Sequence, residues 1–351
     1  MTGDIGKRKA DHLDLAVRGD VGFRAKTTLL ENVRLVHDAL PDLDADAIDS
    51  SVVVLGKRLR APLIIAAMTG GTTPAGDINR RLAAIAEARG LGFGLGSQRA
   101  MHVDAEKRAT YAVRTAAPTT LVLGNVGVVQ ARAMSAAELT ALVDDVGADA
   151  LCVHLNPAME IVQPGGDRDF RDGAATLARI ASELSVPVVA KETGCGLSRG
   201  VARRLFAAGV RHVDVSGAGG TSWVAVETHR AEGEAKALGE AFWDWGIPTA
   251  ATVAACAREP FATLIATGGI ASGLDVARAI ALGATAAGIA RPVLQALVLE
   301  GEAGAHRFLD RVEAELRAAM LLVGAPDVAS LRRAPRVVSG ELRDWIAAEE
   351  E

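Results

Sequence analysis

Two hydrophobic patterns alternate along the chain. Short continuous apolar runs stand at Leu63 to Ala67, Gly92 to Leu95, Leu121 to Leu123, Leu151 to Leu155, Val186 to Lys191, His212 to Val215, Thr263 to Ala266 and Ala286 to Ala290. Runs of this kind mark strands buried on both faces. Between them lie longer segments with apolar positions at helical spacing, such as Asp77 to Arg89 and Ala136 to Val146. Ser135 precedes the second of these and Glu138 stands in its first turn, an N-cap followed by an acid where the helix dipole favours one. Strand–helix alternation repeated eight times predicts an α/β fold, a (β/α)8 barrel, with an open doubly wound sheet as the alternative.

The ends depart from this rhythm. Val52 to Leu59 reads as a hairpin able to plug the barrel floor. Ala305 to Leu322 and Leu342 to Ala348 read as amphipathic helices that pack on the barrel or on another subunit. The expected organisation is one domain over 1–351: an N-terminal segment and hairpin to 60, the barrel over 61–300, and C-terminal helices from 301. Ser222 to Trp245 is long for a barrel connection, and long connections at that face often act as lids.

Composition narrows the classes. Half of the 351 residues are apolar but only 3% are aromatic, so the core rests on many small aliphatic contacts. A net charge of −5 gives no general attraction to nucleic acid or anionic membranes, so a polyanionic ligand needs a local basic cluster. Cys152, Cys195 and Cys256 are far apart and odd in number, which favours reduced cytoplasmic thiols over a disulfide frame. The first twenty residues are charged and lack the apolar core of a secretory signal, and no apolar run is long enough to span a membrane.

The strand ends carry the chemistry. Ala266-Thr267-Gly268-Gly269-Ile270 and Gly288-Ile289-Ala290-Arg291 are apolar strands ending in small residues before a helix. Such a pair suits a phosphate held on backbone N–H groups at the C-terminal mouth of a barrel. Other run ends are polar or glycine-rich: Met68-Thr69-Gly70-Gly71, Gly96-Ser97-Gln98-Arg99, Gly124-Asn125, His154-Leu155-Asn156, Lys191-Glu192 and Ser216 to Thr221. Lys191 and His154 are carried inward by their runs, and a buried Lys needs a partner. An anionic cofactor or substrate is the expected one.

These motifs, with Arg8-Lys9-x-x-His12, Gln163-x-Gly165-Gly166-Asp167-Arg168 and Gly219-Gly220-Thr221-Ser222-Trp223, occur in an order that resembles the type 2, FMN-dependent isopentenyl diphosphate isomerases. The resemblance runs from Arg8 to about Arg333. It implies a (β/α)8 barrel that interconverts isopentenyl and dimethylallyl diphosphate with reduced FMN, NAD(P)H as reductant and Mg²⁺. It further implies that Ala67, Met68, Thr69, Ser97 and Asn125 lie along the flavin, with Lys191 at its N1/O2 edge. Ser216 and Thr221 are to reach the ribityl and phosphate groups, and Gly268, Gly269, Ala290 and Arg291 to close the phosphate cup. Arg8, Lys9, His12, Ser97, Arg99, His154 and Asn156 are to bind the diphosphate. Glu160 matches the Mg²⁺ ligand, and Glu227, together with Lys191 and His154, is expected in the catalytic set, although salt bridging to Arg230 is its bland reading. A homo-tetramer or larger homo-oligomer in the cytoplasm is implied as well, with no nucleic-acid or membrane partner.

One departure stands out. Where the family reads Asn-x-x-Gln-Glu, this chain has Asn156-Pro157-Ala158-Met159-Glu160. Met159 has no proton to give and only a weakly accepting sulfur. Either the flavin carries the acid–base work, or the isomerisation is lost or altered here. The competing readings are a net-redox flavoenzyme of the α-hydroxy acid oxidase type and a prenyl-diphosphate binder without turnover.

Overall fold

The computed structural model describes residues 2–348, and side chains from residue 8 onward; Met1 and residues 349–351 of the expected domain lie outside the described residues. Three short strands precede the barrel: β1 (Val33–Leu35), β2 (Val52–Val54) and β3 (Lys57–Leu59). The barrel follows with β4 (Leu63–Ile65), β5 (Gly92–Gly94), β6 (Val122–Gly127) and β7 (Ala150–Leu155). It continues with β8 (Val188–Glu192), β9 (His212–Asp214), β10 (Thr263–Ala266) and β11 (Ala286–Ile289), and β12 (Arg336–Val338) comes last. Strands β4 to β11 pair in parallel in chain order, and β11 closes on β4, so the sheet is a barrel and not an open one. Every expected run holds a strand. The third differs most: β6 continues to Gly127, because its pairing with β7 runs on to Gly127 opposite His154 and draws Gly124 and Asn125 into the sheet.

Local chemistry sets the helix ends. Helix α1 (Thr2–Arg18) precedes the strands, and α2 (Thr73–Arg89) joins β4 to β5. Thr72 caps α2 by accepting from the Ala75 N–H, proline occupies its first turn, and Gly90 ends it at φ +64°. Ser135 and Glu138 form a reciprocal capping box on the helix Ala136–Asp144.

The hairpin β2–β3 seals the floor. Val54 and Leu59 are buried against Ile64, Leu123, Cys152, Val189 and Ile265, which point into the barrel. The long C-terminal element is a helix, Arg291–Leu322, broken at Gly301 by a φ of +72°; the expected Ala305 to Leu322 helix is its second half and packs on Gly273–Ala281. β12 then returns to pair antiparallel with β1, Val33 opposite Val338, a closure across the chain that local patterning did not suggest. The terminal helix Gly340–Ala348 lies against Thr249–Cys256. Within Ser222 to Trp245 two helices, Trp223–Arg230 and Gly233–Ala241, pack on each other. Among the described residues no helix is long and apolar enough to cross a membrane.

Candidate active site

A cavity of about 650 Å³ opens at the C-terminal ends of the barrel strands, with α1 along one side. It gathers residues from nearly every expected strand end: Met68, Ser97, Asn125, His154, Lys191 and Gly268 among them. Apart from Glu227, every expected site residue lines it.

Strand register builds its polar base. His154 pairs with Lys191 and Lys191 with Asp214 across three neighbouring strands. Inward positions recur every second residue. Two steps below this level lie the floor residues Cys152 and Val189, so the barrel turns from apolar to polar within one repeat. Lys191 Nζ is 3.0 Å from Asp214 Oδ2, both are buried, and the Thr267 hydroxyl donates to the other oxygen of Asp214. The expected anionic partner of Lys191 is therefore supplied by the protein itself. Asp214 escaped the sequence reading although the signal was present: an acid inside the apolar run His212 to Val215. Just beyond, buried Ser216 sits at φ +39°, a left-handed conformation that a non-glycine residue adopts only when its surroundings impose it.

His154 lines the cavity as a neutral imidazole. Burial, then the nearby charges of Lys191 and Lys9, holds its pKa down to about 4. The Asn125 amide nitrogen donates to the Leu95 carbonyl, so its oxygen faces His154 Nδ1 at 2.8 Å. Nδ1 must then carry the proton, which leaves Nε2 a bare acceptor.

Helix α1 delivers Arg8, Lys9 and His12 to the cavity. Lys9 Nζ donates to the Ser97 carbonyl at 2.9 Å and to the Tyr111 hydroxyl at 2.6 Å. Burial, then the charge of Arg8, lowers its pKa to about 7. His12 Nε2 lies 2.6 Å from Glu227 Oε1 and edge-on to Trp223. Glu227, expected in the catalytic set, does not itself line the cavity: it is wholly buried behind His12, its second oxygen taken by Arg230 at 2.6 Å. Arg230 also reaches Asp11 at 3.2 Å, so Glu227 serves to dock α1 on the helix Trp223–Arg230.

Glu160 and Asn156 share one helical turn. The Asn156 amide donates to Glu160 Oε1 at 2.7 Å, and the Asp167 N–H donates to Oε2 at 2.7 Å. Met159 lines the cavity beside them, and Gln163 also donates to Glu160 Oε2 at 3.3 Å. Arg99 lies 3.8 Å from Asp167. Among the described residues no group of three or more His, Cys, Asp or Glu side chains could hold a metal; a divalent ion here would take Glu160 as a ligand and be completed by substrate oxygens and water.

At the other end, two glycine loops touch. A Cβ on Gly220 would fall 2.4 Å from the Gly269 nitrogen, and one on Gly268 2.1 Å from the Gly217 oxygen. The N–H groups of Gly220, Gly268 and Gly269 find no acceptor within the described residues. They stand with Ala290 at the N-terminus of Arg291–Leu322, a cradle that fits a phosphate monoester such as that of FMN. Arg291, expected to help close the phosphate cup, lines the cavity, while its guanidinium turns to α1: it donates to the carbonyls of Ala16 at 2.9 Å and Gly19 at 2.7 Å. Helix C-terminal carbonyls lack intrahelical partners and carry the negative end of the dipole, so they draw the cation. Gln295 adds a bond to Val17 O.

Glu192 follows Lys191 at the end of β8. Its Oε2 accepts the N–H groups of Thr193 and Gly194 at 2.6 Å, as well as those of Cys195 and Gly196, and so fixes the loop beside Lys191.

Residues 167–338 match the family model described as FMN-dependent dehydrogenase. The chain is 44% identical over 351 residues to the isopentenyl-diphosphate delta-isomerase of Methanosarcina barkeri, covering 99% of this chain and 95% of that one. It is also 44% identical over 328 residues to that of a Nostoc species, covering 93% of each. A solved structure of mandelate oxidase with (S)-2-phenylpropionate matches with a TM-score of 0.64 at 20% identity, over 96% of this chain and 98% of that one, a likeness of fold alone. The near-full-length identity, together with a barrel whose mouth fits an FMN phosphate, shows that the chain belongs to the type 2, FMN-dependent isopentenyl-diphosphate delta-isomerase family.

Proposed function

We propose that this chain interconverts isopentenyl and dimethylallyl diphosphate without net redox change. The observation that carries the reading is one cavity with two separate anion-binding ends: a glycine cradle at one side, and Arg8, Lys9 and Arg99 at the other. A phosphate-bearing cofactor and a diphosphate substrate need both. When bound, reduced FMN supplies an electron-rich face that stabilises positive charge at the tertiary carbon and a site for proton exchange.

The protein's own groups do the rest. Arg8, Lys9 and Arg99 grip the diphosphate and spend its binding energy on orientation. Lys191, held by Asp214, offers a fixed cation to the cofactor's edge. Neutral His154 presents an acceptor, and Asn156 keeps the Glu160 carboxylate in place to hold Mg²⁺ against diphosphate oxygens. Trp223 and the small aliphatic wall exclude water from the cationic carbon. NAD(P)H is the external reductant in this reading. A homo-tetramer or larger assembly belongs to it as well, and a compact monomer in sedimentation would reject that part.

The test is an anaerobic assay with reduced FMN, Mg²⁺ and isopentenyl diphosphate in D₂O. Dimethylallyl diphosphate carrying solvent deuterium is the expected product. Met159→Gln is assayed alongside: product from that variant and none from the parent would mean that this chain has lost the isomerisation. Hydride consumed in proportion to product would favour the redox alternative.

A further inference from the structure

Tyr111 is the one tyrosine of the chain, and nothing in the sequence marked it. It follows the short turn Ala105–Thr110, between β5 and β6, and is wholly buried. Its hydroxyl donates to the Ser97 carbonyl at 2.7 Å. With that proton committed, a lone pair is left to accept from Lys9 Nζ at 2.6 Å, while Nζ also donates to the same carbonyl at 2.9 Å. An ammonium has three protons. Two are thus taken by barrel groups, and the third is left for the cavity that Lys9 lines.

The neighbouring glycines make room for this arrangement. A Cβ on Gly70 would fall 2.2 Å from Tyr111 Cε1, and one on Gly71 3.2 Å from Lys9 Nζ. The Met68-Thr69-Gly70-Gly71 motif therefore does more than border the flavin side: it admits the ring that receives α1's lysine. Buried as it is, Lys9 holds its charge weakly, so an acceptor on it matters.

We infer that Tyr111 is a positioning residue for substrate: with the Ser97 carbonyl it aims the Lys9 ammonium at the diphosphate. This rests on the reading of the cavity as a prenyl-diphosphate site. The test measures inorganic pyrophosphate binding by calorimetry in the flavin-loaded protein, so it does not depend on turnover. Tyr111→Phe keeps the ring and is expected to weaken pyrophosphate about ten-fold, raising KM for isopentenyl diphosphate with kcat little changed and FMN retained. In a Lys9→Met background the same change is expected to have no further effect. Equal weakening in both backgrounds, or none in either, overturns the inference.

Should Tyr111→Phe fail to fold, the wild-type protein labelled with ¹³Cζ-tyrosine gives one resonance. That resonance is expected to shift on adding pyrophosphate in the wild type and not in Lys9→Met. A resonance indifferent to pyrophosphate, or a wild type that does not bind it, overturns the inference. Binding that depends on Tyr111 in a protein that does not isomerise defeats the functional reading alone.

Discussion

The floor and the mouth of the barrel are built from the same strands, two residues apart, and use their inward positions in opposite ways. At the floor, Cys152, Val189 and Ile265 meet Val54 and Leu59 of the hairpin in one buried apolar cluster. One repeat higher, about 7 Å along the strand, the same strands present His154 and Lys191, and Thr267 stands just past the end of β10. The floor is held by burial. The mouth is held by paired charge, Lys191 with Asp214, and by hydrogen bonds that fix a tautomer at His154. A buried ion pair contributes little net stability, but losing one partner strands the other. The mouth therefore gives up packing for a defined electrostatic pattern, and the sealed floor lets it do so.

Four experiments break or sharpen that contrast. Lys191→Met leaves Asp214 buried without its counter-charge and removes the cation proposed for the cofactor's edge. Turnover is expected to fall about 10³-fold, with the potential of bound FMN lowered; an unchanged potential would remove Lys191 from that role. Leu59→Ala empties part of the floor. It is expected to cost about 3 kcal/mol in denaturant unfolding while KM stays put; a shift in KM would mean the two ends are coupled.

The third experiment is a pH series. In the proposed reading Lys9 binds the anion as an ammonium, and burial lowers its pKa to about 7. The contribution of Lys9 to pyrophosphate affinity is thus full below that pH and falls by up to about ten-fold per unit above it, once the anion's own ionisation is subtracted. His154, at about 4, adds no inflection near neutrality. Calorimetric titration across the neutral range checks both. The smallest expected effect is that of Arg291→Ala, which unpins the end of α1. KM is expected to rise about three-fold with FMN retained; loss of FMN would put the guanidinium back on the cofactor phosphate.

Much of this was legible in the chain. Buried parallel strands are continuous apolar runs, and their polar ends must converge at the mouth once the sheet closes. That logic located Lys191, His154, Asn125 and both glycine loops without coordinates. It also found the hairpin, whose Val54 and Leu59 point inward.

What stayed hidden depends on which group faces which. Pairing of β1 with β12 joins Val33 to Val338, too distant for any local pattern to register. Asp214 becomes the partner of Lys191 only through the register of β8 against β9. Glu227 is matched by resemblance alone to an acid near the site, and only its helix shows that it stands behind His12. Arg291 stands at the phosphate end by sequence, while its guanidinium answers to the bare carbonyls of α1. Tyr111 becomes visible only beneath Lys9, more than a hundred residues away in the chain. Periodicity and residue type determine the elements and which face they bury, because those are local energies. The aim of each polar side chain is set by the nearest partner in space, and closing the barrel decides who that partner is.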